Sequence, residues 1–414
     1  MNINNLKNMF SQKNLPTLAG FLGLFLIAAG ISWAFFSFVV KPQGGLLGGN
    51  TNTTNSKSKL NLNLPKTEEC PINGLKFTKS EKDVWNNRRP VTAMIENHAD
   101  SRPPEGLSKA DWVYEAVAEG GITRFMSVFY CGVAAEDVKI APVRSARVYF
   151  INWASEYADK PLYVHVGGAN DFCPTCYGGV KPAGDISPQV DALGLLEKIG
   201  WRVAGGNDFD TSFDSGFPVF YRNPERLGHE IATEHTMTVD LDALYQDAEK
   251  RSLAAKNKNG ISWDANFVKY KFADDQKSSS PAAKDISFQF WANKPDYDVE
   301  WKYDQTSNTY LRFNGGQPHT DLEYNKTQLT AKNVVIMKVA ETGPVDKEGH
   351  MFYQVIGSGD IIVFQNGNVT KGTWSKADRI SRTKFMDENG KEITFVRGVT
   401  WVEALPSGND VNYN

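Results

Sequence analysis

Arg144 and Arg147 stand three apart in KIAPVRSARVYF, residues 139–150. A helix beginning at Ser145 would crowd both guanidiniums at its N-terminus, where unpaired N–H groups and the helix dipole already favour negative charge. That arrangement calls for an anion, either an internal carboxylate or an external ligand. Internal candidates lie in YEAVAEGGITRF. Glu115 and Glu119 are four apart, so they share a face at either helical or extended periodicity. Gly120 and Gly121 permit a tight turn, and Arg124 opens the next element. Two carboxylates and three arginines therefore gather near the edges of adjacent elements. Arginine forks bind carboxylate and phosphate alike, so the pattern supports both an anion or sugar-acid pocket and an internal set of Glu–Arg pairs. In a catalytic version Glu115 or Glu119 is the general acid/base, its pKa raised by burial, while the arginines hold developing negative charge.

Other polar groups leave strand-like runs. VTAMIEN ends in Asn97 and is followed by His98, Asp100 and Arg102, and YVHV carries His165 near its end, just before Gly167-Gly168. Strand ends beside glycines are common ligand sites in α/β sheets. HEIATEHT holds His229 and His235, but zinc proteases need histidines four apart on a helix, and six apart they point about 240° away from one another. His235 alone remains a pocket candidate. Asp208, Asp210 and Asp214 lack calcium-loop spacing and read as a solvated acidic loop. No nucleophile elbow, P-loop or dinucleotide fingerprint is present, so the sequence names no metal and no cofactor. Cys70, Cys131, Cys173 and Cys176 are disulfide candidates, the last two in a Gly-rich CPTC stretch.

The elements that must position these groups alternate at first. VTAMIEN, RFMSVFYCG and PLYVHVGG read as strands. RVYFINWASEYA, VDALGLLEKIG and LDALYQDAEKRS read as helices, and WVYEAVAEGG fits either. This predicts an α/β domain with a mixed sheet over residues 70–272. A polar linker, 273–284, leads to short alternating runs with tight turns at Asn366-Gly367 and Asn389-Gly390, a mainly antiparallel β domain over 285–408.

Upstream, the uncharged run Ala19–Val40 is long enough to cross a bilayer as a helix. No cleavage site or lipid-accepting cysteine follows, so it reads as a signal anchor. Residues 1–18 form a cytoplasmic tail, and the Gly-, Asn- and Thr-rich residues 41–69 a flexible tether. The bulk of the chain is then extracytoplasmic on a single-pass anchor in the cytoplasmic membrane. Lys plus Arg number 45 against 48 Asp plus Glu, and that balance speaks against a nucleic-acid partner.

RPVTAMIENHADSRPPEGLSKADWVYEAVAEGGITRFMSVFY, APVRSARVYFINWASEYADKPLYVHVGG and GSGDIIVFQNGNVTKGTWSKADRISRTKFMDENGKEITFVRGVTWVEALP resemble the YerB-like lipoprotein family, built from the two halves of domain of unknown function 3048. The resemblance runs from about residue 70 to 406. It implies a bacterial envelope protein outside the cytoplasmic membrane, with no assigned activity. The chain departs from the family in its transmembrane anchor, in Glu234-His235-Thr236 where Pro-His-Asn is usual, and in CPTC, which looks inserted. The resulting expectation is a ligand site of Arg124, Arg144, Arg147, Asn97, His98, His165 and His235. It would bind an anionic or glycan-type envelope ligand, such as a cell-wall polymer, or an envelope protein. A cell-wall-polymer hydrolase or transferase using Glu115 or Glu119 and a structural scaffold are the alternatives.

Overall fold

The structure is a computed structural model that describes residues 60–157, 160–170 and 186–414. The anchor run at 19–40 and CPTC lie outside the described residues. No helix among the described residues is long and apolar enough to cross a membrane.

Strand dominates both halves. In the first, β1 (Val91–Glu96), β2 (Trp112–Glu119), β3 (Ile122–Phe129), β4 (Leu162–His165) and β5 (Asp208–Asp210) are accompanied by short helices. These are α1 (Lys79–Trp85), α2 (Val148–Ala154), α3 (Ala192–Lys198) and α4 (Leu241–Lys250). The second half supplies β6 (Asp285–Phe288), β7 (Val299–Asp304), β8 (Thr309–Asn314), β9 (Asn333–Thr342), β10 (Gly357–Gln365), β11 (Asn368–Lys376), β12 (Lys384–Asp387), β13 (Thr400–Pro406) and β14 (Val411–Tyr413). The first half is therefore richer in strand than the α/β expectation, because β2, β3 and β1 pair antiparallel without helical crossovers.

One mixed sheet crosses both halves in the order β12–β11–β10–β9–β13–β2–β3–β1–β4–β5. Strand β13, from the end of the chain, lies parallel between β9 and β2. The polar stretch 273–284 thus does not divide this sheet. A second, antiparallel sheet runs β8–β7–β6–β14.

The ambiguous segment WVYEAVAE is a strand because both its faces are covered. Trp112 stacks on Tyr270 at 4.8 Å and Tyr114 on Trp153 of α2 at 4.9 Å, while the opposite face meets the second sheet. Trp301 of β7 meets Trp401 of β13 edge-on at 5.3 Å across that same interface. Each such aromatic pair adds about 0.5–1.5 kcal/mol beyond its burial. A residue buried on both sides favours the aromatic and β-branched types found here.

Gly120 and Gly121, at φ +57° and +79°, form the two-residue turn from β2 to β3 that their sequence requires. Asn366 and Gly367, at +57° and +76°, do the same between β10 and β11. The register slips between Val117 and Glu119, so Ala118 is an extra residue opposite β3. This bulge corrects the expectation that Glu115 and Glu119 share a face. One inserted residue turns Glu119 to the helix side, opposite Ile122 and beside Arg124, while Glu115 faces the second sheet.

A disulfide joins Cys70 to Cys131, 61 residues apart, and ties the start of the described chain to the end of β3.

Candidate functional site

Strands β1, β2, β4, β5, β9 and β13 all run the same way. Their carboxyl ends share one edge, the usual place for a ligand in such sheets. The segment after Ile140 crosses this edge. Glu96 N donates to Pro142 O, Arg144 N to Met94 O, and Ala146 N to Gly167 O. The crossing explains why two arginines three apart reach the ends of β1, β2 and β4. Arg147 is the residue capping α2, which begins one residue later at Val148.

The arginines meet a carboxylate. Arg147 Nη2 donates to Glu119 Oε2 at 2.5 Å, and Arg124 Nη2 to Glu119 Oε1 at 3.2 Å. The remaining ends of the two forks donate to carbonyls, Arg147 to Ala146 O and Arg124 to Ser145 O. Burial would raise the Glu119 pKa, but Arg124 and Arg147, with His350 behind them, hold it down at about 2. The Glu119 side chain keeps a third of its surface exposed, whereas both guanidiniums are almost covered. Two cations around one anion leave this clamp with a net charge of about +1. Beside it, no described atom lies within 4 Å of the position a Cβ would take on Gly120 or Gly167. Among the described residues, the edge is open there.

Arg144 lies along the same edge, half-buried. Its Nε is 3.1 Å from Glu96 Oε1, close enough for an ion pair though not in hydrogen-bond alignment, and its Nη1 donates to Glu234 O. The other Glu96 oxygen accepts from His235 Nδ1 at 2.8 Å. The His235 ring in turn lies 4.9 Å from that of His98.

His165 faces inward instead. Nε2 is 2.5 Å from Asp208 Oδ1 and Nδ1 is 2.7 Å from Gly167 O. Both partners are acceptors, so both nitrogens carry protons and the ring is an imidazolium. Burial opposes that charge, but Asp208 and Asp210 outweigh it and the pKa rises. Arg202 donates to both aspartates, which balances two cations against two anions. Asp208 and Asp210 are therefore fully buried on β5, a correction to the solvated-loop reading, and only Asp214 lies outside, paired with Arg251.

Glu115 and Asn97 lie under the second sheet. Arg312 of β8 donates to both Glu115 and Glu403, which sit opposite one another on β2 and β13, and Trp301 Nε1 donates to Glu403. All three charged side chains are wholly buried. Burial and the neighbouring Glu115 push the Glu403 carboxyl well above its usual range, against the pull of Arg312. Asn97 Nδ2 lies within bonding distance of Glu115, Thr123 and Asn314, while its Oδ1 accepts from Arg102.

Sequence reading missed Arg312, Glu403 and Glu96, and took Asp208 for a solvated group. Only Arg312 carried a usable signal, a charge at an inward position of the alternating strand TYLRFN. A separate cavity of about 480 Å³ with a mixed polar and apolar lining lies between Lys109, Tyr324, Gln328 and Trp401, and none of the predicted site residues lines it.

A mixed sheet shared by two halves, with charged groups gathered at its carboxyl edge, defines a two-part, strand-rich mixed-sheet protein. The comparisons make the family specific. The N-terminal domain of the protein family of unknown function DUF3048 matches residues 77–254, and its C-terminal domain matches 286–402. The chain belongs to this family. It is 28% identical over 339 residues to the Bacillus subtilis (strain 168) protein named "Putative lipoprotein YerB", across 82% of this chain and 86% of that one. The crystal structure of YerB protein from Bacillus subtilis superposes with a TM-score of 0.62 at 24% identity, covering 83% of this chain and 99% of that one. At that identity the likeness is one of fold.

Proposed function

We propose that this protein works outside the cytoplasmic membrane of a bacterium, tethered by the run Ala19–Val40, and binds an anionic glycan of the envelope at the carboxyl edge of its main sheet. Three features support the location. The chain has a bilayer-length apolar run, its relative is named as a lipoprotein, and Cys70–Cys131 is the kind of bond that persists in oxidising compartments.

The observation that carries the binding role is the charge at the edge. Arg124, Arg144 and Arg147 face two carboxylates, Glu119 and Glu96, and two glycines leave open space beside them. In this reading Glu119 accepts hydroxyl donors from a sugar and the half-buried Arg144 takes the anionic group, since guanidinium forks suit carboxylate and phosphate. A hydrolase is less well served. A carboxyl held at about pH 2 has no proton to donate near neutrality, and Glu115 is walled off from solvent.

The test is thermal unfolding of the full chain in detergent with peptidoglycan fragments and with a polyol-phosphate polymer. Ligand binding to the folded state raises the midpoint, by about 2.7 kcal/mol of stability at a hundred times Kd. At least one probe should raise it, and Arg144→Ala should keep the unliganded midpoint while losing the rise. No rise with either polymer, or an equal rise in Arg144→Ala, overturns the reading.

A further inference from the structure

His98, Asp100 and His235 come from two loops far apart in sequence, yet their ligand atoms lie within 4.8 Å of one another. The hydrogen bonds around them decide where the lone pairs are. Glu96 Oε2 takes the proton-bearing Nδ1 of His235, so the neutral ring keeps its lone pair on Nε2. Asp100 N donates to Nδ1 of His98 at 3.2 Å, so that nitrogen is the unprotonated one, and Asp100 Oδ2 lies 3.7 Å from it. Metal-binding histidines are commonly oriented by a carboxylate on the opposite ring nitrogen. Glu96, buried and gripped by Arg144, holds His235 in that manner.

From this geometry we infer that His98, Asp100 and His235 bind a zinc-class divalent ion, with Glu96 as the group that orients His235. Two imidazole nitrogens and one carboxylate oxygen suit a borderline transition metal and leave a fourth position for water or a ligand atom. Bonds of about 2.0–2.1 Å in a tetrahedron bring ligand atoms to about 3.3 Å apart. The required closure falls on His98 and Asp100, whose side chains are 30% and 81% exposed, and the His98 Nδ1 lone pair must pass from the Asp100 N–H to the ion. His229, six residues before His235, takes no part. The inference shares Glu96 and Arg144 with the anion reading, but its ligands His98, Asp100 and His235 take no part in that reading, so their variants test it separately.

The experiment titrates Co²⁺, then Zn²⁺, into the chelator-stripped full chain in detergent and follows the visible d–d absorption. Cys173→Ser with Cys176→Ser serves as a parallel background, because thiolate ligation by CPTC would add a near-ultraviolet charge-transfer band. Saturable binding without that band is expected in both backgrounds. Asp100→Ala, at an exposed position, and His98→Ala, at a half-buried one, should weaken it more than about tenfold, and Glu96→Gln by about 10–100-fold. The inference is overturned if no saturable binding occurs, if it vanishes with the two cysteines, or if Asp100→Ala and His98→Ala leave it unchanged.

Discussion

Strand β2 carries two glutamates four residues apart that end in opposite situations. Glu115 lies under the second sheet, where it and Glu403 share the single cation Arg312. Glu119 lies at the edge, where one carboxylate is shared by Arg124 and Arg147. The residue types are the same and the ratio is inverted. With two acids per base and no water, desolvation dominates and Glu403 is driven toward its protonated form. With two bases per acid and partial exposure, the cations dominate and Glu119 stays ionised. The core cluster is thereby neutral and joins β2, β8 and β13. The edge cluster keeps a spare positive charge beside open space. A single bulged residue, Ala118, separates the two.

The largest effect that could break this comparison is expected from Arg312→Met. Removing the cation leaves two buried acids unpaired, at a cost of about 3–5 kcal/mol by denaturant unfolding. Glu403→Gln should cost under about 1 kcal/mol, because burial and the neighbouring Glu115 already favour the uncharged form of that carboxyl. Equal losses in the two variants would mean that Glu403 is ionised and that the core is an ordinary ion-pair network.

A middle-sized effect, about 1–3 kcal/mol, is expected from Arg147→Ala, which strips the buried clamp of its shorter bond. Glu119→Gln in the same chain should recover part of that loss.

Acid and alkali should then separate the clusters by sign. Glu119 has a folded pKa of about 2, below the reference 4.5, so its contribution is complete above pH 4.5 and disappears as pH falls toward 2. Glu403 has a raised folded pKa, so its contribution is complete below pH 4.5 and declines as pH climbs from there toward that folded value. His165, also raised, contributes fully below its reference 6.5 and is lost as pH passes its folded value. Unfolding midpoints across pH 2–9 in Glu119→Gln, Glu403→Gln and His165→Asn should each lose only the matching slope. The smallest effect belongs to Arg144→Ala, within about 0.5 kcal/mol of wild type, because its pair with Glu96 is partly solvated.

Much of the framework was legible. The β-rich runs VTAMIEN and RFMSVFYCG, the turn at Asn366-Gly367 and the helix RVYFINWA follow from residue types, periodicity and turn chemistry that act locally. The bulge did not, because it depends on how β3 pairs rather than on the residues of β2 alone. The arginines were found by type and spacing, and the partner carboxylate of Arg124 and Arg147 was among the candidates. Arg312 and Glu403 were hidden because they join Glu115 only once the chain end returns as β13, beyond any local window. Asp208 was misread for a similar reason, since its acidity looked solvated until His165 and Arg202 supplied the balancing charge.

The most direct test of the inverted ratio is carboxyl ¹³C NMR of the glutamate-labelled full chain, with Glu119→Gln and Glu403→Gln identifying the two signals. The account predicts that the Glu119 signal stays at its ionised shift down to pH 3, while the Glu403 signal keeps its protonated shift above the pH at which an ordinary glutamate titrates. A Glu119 that titrates near 4.5 together with a Glu403 that titrates at or below 4.5 would contradict it.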